Sequence, residues 1–170
     1  AHEAITAGLD VLLFSDNVRI EDEIALKERA VRAGQLLMGP GAGTAMLGGI
    51  GLGFANVVSP GPVGIVAAAG TGAQEAMSLL SRWGAGASCV IGLGGRDLSD
   101  AVDGRMAKAA IASLREDPNT EVIFLVSKPP AEPVARSVLA TAGEFPLVAS
   151  LVGRARDAGP IGVIEPARTL

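Results

Sequence analysis

The sequence predicts an α/β protein built on a mostly parallel sheet. Three observations carry that reading. Apolar runs of strand length recur along the chain, each closed by a glycine or proline turn, with helical stretches between them. Hydrophobic residues make up 49% of the 170 and charged residues only 19%, which requires elements covered on both faces. Glycine is abundant at 23 residues while aromatics are 3%, so Ala, Val, Ile and Leu must fill a core in which backbones approach closely.

Taken in order, residues 1–8 read as the end of a helix closed by Gly8. Residues 9–14 are an apolar strand, and Ser15, Asp16, Asn17 and Val18 are the polar loop at its carboxyl end. Residues 20–33 form the clearest amphipathic helix, with Ile20, Ile24, Ala30 and Val31 on one side and Glu21, Lys27, Glu28 and Arg32 elsewhere. Residues 35–38 are a short strand ended by Gly39, Pro40 and Gly41. Residues 45–53 read as glycine-rich and irregular, and 54–58 as a short extended piece. Ser59, Pro60, Gly61 and Pro62 are the expected connector between two domains, 1–58 and 63–170. Strands at 63–69, 88–93, 121–126 and 147–152 then alternate with helices at 72–83, 101–116 and 131–142. A last strand is expected at 162–164, with Glu165 to Arg168 opening a further helix. The two ends together read as a partial chain, or one that needs a partner over an open sheet edge.

Parallel sheets bind ligands outside the carboxyl ends of their strands, and the unusual residues gather there. Gly70, Thr71 and Gly72 join an apolar run to a helix, so free backbone N–H groups converge on a point suited to phosphate or carboxylate. Gly94, Gly95, Arg96 and Asp97 close the next strand, and Ser127 and Lys128 the one after. Arg96 and Lys128 supply cations, and Asp97 is placed to orient Arg96. Asp100 and Asp103 suit the positive end of the helix that follows. His2 is the only histidine and Cys89 the only cysteine, so no metal-ligand cluster is expected and Cys89 reads as a small core residue. The lone cysteine excludes a disulfide framework and fits a reducing cytoplasm. A net charge of −4 with no basic run argues against nucleic-acid partners, and no long unbroken apolar stretch supports a membrane span.

The stretch from Gly61 to Glu75, GPVGIVAAAGTGAQE, is similar to the strand–turn–helix that opens the ligase domain of the succinyl-CoA synthetase alpha subunit. The segments 14–18 (FSDNV), 91–99 (IGLGGRDLS) and 126–132 (VSKPPAE) resemble signatures of one branch, the FdrA-type acyl-CoA synthetase-like proteins. The resemblance implies that residues 1–58 are the C-terminal part of a CoA-binding Rossmann-like domain, 59–62 a linker and 63–170 a flavodoxin-like ligase domain. It also implies CoA as cofactor, held by Ser15, Asp16, Asn17, Gly39 and Pro40, with no nucleotide specified. A small anionic substrate or acyl-CoA would meet Gly70, Thr71, Gly72, Gly94, Gly95, Arg96, Asp97, Ser127 and Lys128, in a homo- or hetero-oligomer.

The sequence departs from the synthetase pattern at several points. Ala67 and Ala69 stand where the synthetase has serines beside phosphate, Lys128 where it has a glutamate facing the active histidine, and Ala42 where it has a cysteine. With His2 its only histidine, this stretch cannot run a phosphohistidine relay alone, and is expected to be inactive by itself. These departures leave two alternatives to acid–CoA ligation. One is a carbamoyltransferase subunit of oxamate or allantoin breakdown; the other is a non-catalytic assembly subunit that binds an anion or acyl-CoA.

Overall fold

The structure is a computed structural model that describes residues 1–153 and 165–166. The chain opens with α1 (His2–Thr6), β1 (Val11–Leu12), α2 (Ile20–Arg32) and β2 (Leu37–Met38). β1 and β2 pair in parallel, Val11 with Leu37 and Leu12 with Met38, which makes one βαβ unit. Next come β3 (Thr44–Leu47) and β4 (Ile50–Gly53), where an irregular segment was expected. They form an antiparallel hairpin closed between Leu47 and Ile50. Gly48 and Gly49 have φ of 57° and 77°, the left-handed pair that a two-residue hairpin turn requires.

β5 (Pro60–Ala68), α3 (Gly70–Arg82), β6 (Ala87–Gly92), α4 (Arg105–Glu116), β7 (Val122–Ser127), α5 (Glu132–Ala140), β8 (Leu147–Leu151) and β9 (Glu165–Pro166) complete the described elements. Seven strands lie in the order β4-β3-β6-β5-β7-β8-β9. β5 to β9 are mutually parallel, and their order is the flavodoxin-like one, with β5 central and the strand order reversing between β5 and β7. The hairpin joins this sheet antiparallel to β6, through Met46 and Val90.

Four expectations change. Pro60, Gly61 and Pro62 are the first residues of β5 rather than a connector, and the hairpin before them already belongs to the large sheet. Glu165 and Pro166 pair with Val148 and Ala149 as a strand, not a helix start; the expected strand at 162–164 and residues 167–168 lie outside the described residues. α4 begins at Arg105 rather than 101, because Asp103 and Gly104 sit at φ of 59° and 62°, which breaks helical geometry ahead of it. On α2 the buried residues are Glu23, Leu26, Lys27 and Ala30, while Val31 is exposed. The buried stripe keeps helical spacing, yet it carries two charges.

Alternate residues of β5 serve two layers. Ile65, Ala67 and Ala69 pack with Ala73, Ala76 and Met77 of α3 on one face of the sheet. Val66 and Ala68 pack on the other face with Met106, Ile111 and Leu114 of α4 and Val138 and Leu139 of α5. Leu26, Ala30, Leu37 and Met38 join that second cluster, so the opening βαβ unit and the large sheet share one core. At about 1.5–3 kcal/mol per fully buried large aliphatic side chain, this shared core decides how the two parts sit together. The carboxyl ends of both sheets are thereby brought to a common crevice.

Candidate functional site

Three strand-end loops meet in that crevice. The loop Ser15–Val18 follows β1, and its Ser15 carbonyl accepts the Gly41 N–H at 2.9 Å. Gly39 (φ 104°) has no room for a side chain, since a Cβ there would collide with the Leu13 carbonyl. Gly94 (φ 79°) is likewise pressed against the Pro40 carbonyl. The expected cofactor residues after β1 and β2 and the expected anion residues after β6 therefore adjoin. Phe14 and Phe54 pack edge to face beside this junction, with ring centroids 5.5 Å apart.

The expected turn at Gly70-Thr71-Gly72 is already helical: α3 starts at Gly70, with Ala69 as its extended N-cap residue. The first backbone bond is Ala73 N–H to Ala69 carbonyl, so the N–H groups of Gly70, Thr71 and Gly72 have no acceptor among the described residues. No side chain caps them. Strand register pairs Ala68 with Ser127, so Ala69 and Lys128 leave neighbouring strands side by side. Lys128 is exposed and forms no hydrogen bond or ion pair among the described residues, and its ammonium lies over Gly95. Ser127 is buried, and its hydroxyl is turned back onto the Lys128 carbonyl, so it does not face a ligand.

Asp97 and Arg96 depart from expectation. Asp97 does not orient Arg96. It is fully buried, with Oδ1 2.7 Å from Lys27 Nζ and Oδ2 accepting the Ala107 N–H at 2.9 Å. Oδ1 also accepts the Met106 N–H at 3.3 Å. Asp97 thus fills the N-terminus of α4, the place expected for Asp100 and Asp103. Lys27 Nζ bonds Glu23 Oε1 at 2.8 Å and the Leu93 carbonyl at 3.0 Å as well. Arg96 Nη2 donates to the Val18 carbonyl at 2.8 Å. The same nitrogen lies 2.8 Å from Glu23 Oε2, a contact of charge rather than hydrogen-bond geometry. Glu23, Lys27, Asp97 and Arg96 together form a neutral quartet, three of them fully buried.

Sequence reasoning set Lys27 off the apolar side of α2 and did not single out Glu23. Their i, i+4 spacing in register with Leu26 and Ala30 was the available signal. Cys89 is half-buried and its thiol is pushed up to about 11, by burial first and then by the nearby Asp117 carboxylate. It is no nucleophile at neutral pH. His2 lies exposed in α1. Among the described residues no group of acidic, Cys or His side chains can hold a metal ion, and no helix is long and apolar enough to cross a membrane.

Comparison with known proteins places this geometry. No family model matches the chain. An uncharacterized Escherichia coli protein, YahF, is 49% identical over 156 residues, covering 91% of this chain and 30% of that protein. Subunit SauD of the ADP-forming sulfoacetate–CoA ligase of Bilophila wadsworthia is 27% identical over 167 residues, 92% of this chain and 56% of its own length. The alpha subunit of the ADP-forming succinate–CoA ligase of Methanothermobacter thermautotrophicus is 27% identical over 121 residues, 69% of this chain and 40% of its own. The chain is thus similar to subunits of acid–CoA ligases. Acetyl-coenzyme A synthetase 1 of Ca. Korarchaeum cryptofilum, solved with phosphate and ADP, shares the fold at a TM-score of 0.66 and 18% identity, over 91% of this chain and 34% of that one.

The chain spans between 30% and 56% of the length of those curated relatives. SauD and the succinate–CoA ligase alpha chain are both named as ligase subunits.

Proposed function

We propose that these residues form the CoA-loop and anion-seat portion of an acid–CoA ligase, of the FdrA-type branch that the segments 14–18, 91–99 and 126–132 resemble. Residues 1–58 would belong to the CoA-binding part and 63–170 to the ligase part. One observation carries the reading: the N–H groups of Gly70, Thr71 and Gly72, without an acceptor among the described residues, open at the switch point of the parallel sheet, where Lys128 leaves the neighbouring strand and carries its ammonium to Gly95. A phosphate, an acyl phosphate or a carboxylate is matched by those donors and by that charge.

The side chains of Ser15, Asp16 and Asn17 are exposed and make no hydrogen bond among the described residues. They fit the amide groups of a pantetheine arm; the carboxylate of Asp16 would repel the phosphate end of CoA. Bound CoA supplies a thiol that takes the acyl group from phosphate. The residues of this chain hold the leaving phosphate at α3 and aim the arm through the loops after β1 and β2. SauD and the succinate–CoA ligase alpha chain are named as subunits, and an oligomer in which another chain or segment completes the site follows from the same reading.

The test is ligand titration of the chain by melting temperature and calorimetry. Phosphate at about ten times its dissociation constant adds about 1.4 kcal/mol of stability, which raises the melting temperature by about 3–6 °C at this chain length. Lys128→Glu is expected to remove that rise. The variant itself should melt within about 2 °C of the parent, because an exposed residue without partners contributes little to stability. No rise with phosphate or CoA in the parent chain overturns the reading.

A further inference from the structure

Arg96 looks by sequence like an anion ligand, yet its guanidinium is turned away from that task. Its Nη2 donates to the Val18 carbonyl at 2.8 Å and touches Glu23 Oε2 at the same distance. Val18 closes the loop that holds Ser15, Asp16 and Asn17, and Glu23 lies one turn into the helix behind it. Arg96 itself sits in the turn after β6, two residues from Gly94, which is pressed on the Pro40 carbonyl. One side chain therefore ties the loop after β1 to the turn after β6, while Gly94 ties that turn to the loop after β2.

We propose that Arg96 is a positioning residue that clasps the Ser15–Val18 loop, and that it takes no part in holding the anion at α3. Three features favour this. Its charge is already matched by the buried Glu23 carboxylate, so an incoming anion would compete with an ion pair that water screens only on one side. Its donor is committed to a backbone carbonyl that has no other partner among the described residues. Lys128, by contrast, has no partner among the described residues and leaves the strand that adjoins the start of α3. The clasp stands on the geometry alone; its effect on CoA rests on the functional reading above.

Hydrogen exchange read by mass spectrometry separates the two roles. In Arg96→Met, exchange of the 15–19 amides is expected to rise about tenfold, the worth of one hydrogen bond from a charged donor, while the 70–76 amides keep the parent rate. CoA binding weakens by a similar factor and phosphate binding stays within about twofold. Arg96→Lys, which keeps a cation beside Glu23 and a donor for Val18, is expected to restore most of the loop protection. Unchanged exchange at 15–19 overturns the clasp. So does a loss of phosphate binding larger than the loss of CoA binding, which would make Arg96 an anion ligand. A uniform rise across all segments that Arg96→Lys does not reverse also overturns it, making the ion pair a general fold determinant. Should the parent chain bind neither ligand, the functional reading falls while the exchange result still decides the clasp.

Discussion

Replacing Lys27 with methionine is the sharpest perturbation of this molecule. Methionine nearly conserves the volume of the stem and removes only the ammonium. That ammonium holds Glu23 Oε1 at 2.8 Å, Asp97 Oδ1 at 2.7 Å and the Leu93 carbonyl at 3.0 Å, with no exposure to water. Summing three charge-assisted bonds at about 1.5–3 kcal/mol each overstates the loss, because both carboxylates keep other partners. Asp97 retains two N–H donors of α4, and Glu23 retains Arg96. What remains is a buried cluster with one uncompensated negative charge, a situation that costs about 3–5 kcal/mol.

The assay is urea unfolding, with melting temperature as a second measure. At this length about 3–5 kcal/mol corresponds to a fall of about 6–20 °C. The double variant Lys27→Met with Asp97→Asn is expected to recover part of the loss. Asparagine keeps an oxygen for the α4 N–H groups and carries no charge, so the two substitutions are strongly non-additive. A single-variant loss below about 1 kcal/mol, the range of solvent-exposed pairs, would refute the claim that this cluster is a buried electrostatic unit.

Two further outcomes follow from local geometry. Gly94→Ala places a methyl group against the Pro40 carbonyl at a φ of 79°, and should cost at least about 1–3 kcal/mol in urea unfolding and weaken CoA more than phosphate in titration. Cys89, with its thiol pushed up to about 11 from an ordinary 9.0, should alkylate with iodoacetamide about a hundredfold more slowly at pH 8 than a free cysteine. Because the folded state holds that proton more tightly than the unfolded one, the stability it contributes is intact below pH 9 and is lost as pH rises from 9 to about 11.

The parallel βα alternation after residue 60 was readable because each apolar run ends at a glycine or proline, and the observed strands differ from the expected ones by a few residues at their ends. The hairpin at 44–53 was not read, although Gly48 and Gly49 between Leu47 and Ile50 are its signature; seven glycines from 39 to 53 masked the alternation. Glu165 and Pro166 mislead for a different reason. Proline suits a helix start and an edge strand equally well, and only the pairing with β8 decides between them. The charged face of α2 was invisible to a hydrophobic pattern. A lysine is placed on the surface by default unless something inside neutralises it, and what neutralises Lys27 is Asp97, seventy positions away.

That long-range pair also decides where an external anion can sit. Helix N-termini attract negative charge, and four described helices of eight residues or more compete for it. α2 has Glu21, Asp22 and Glu23 in its first turn, and α5 has Glu132. α4 carries no acid in its own first turn, yet Asp97 reaches its Met106 and Ala107 N–H groups from the loop before it, with its charge balanced by Lys27. α3 alone has neither an acidic first turn nor a side-chain cap accompanied by a carboxylate from elsewhere. An anion arriving at the crevice would meet a carboxylate at α2, α4 or α5, and the ammonium of Lys128 beside α3. With like charges costing what opposite charges return, the preference for α3 follows from the placement of acids on the other three helices as much as from its own open N–H groups. The buried quartet thus has a second consequence besides stability: by closing α4, it leaves α3 as the seat.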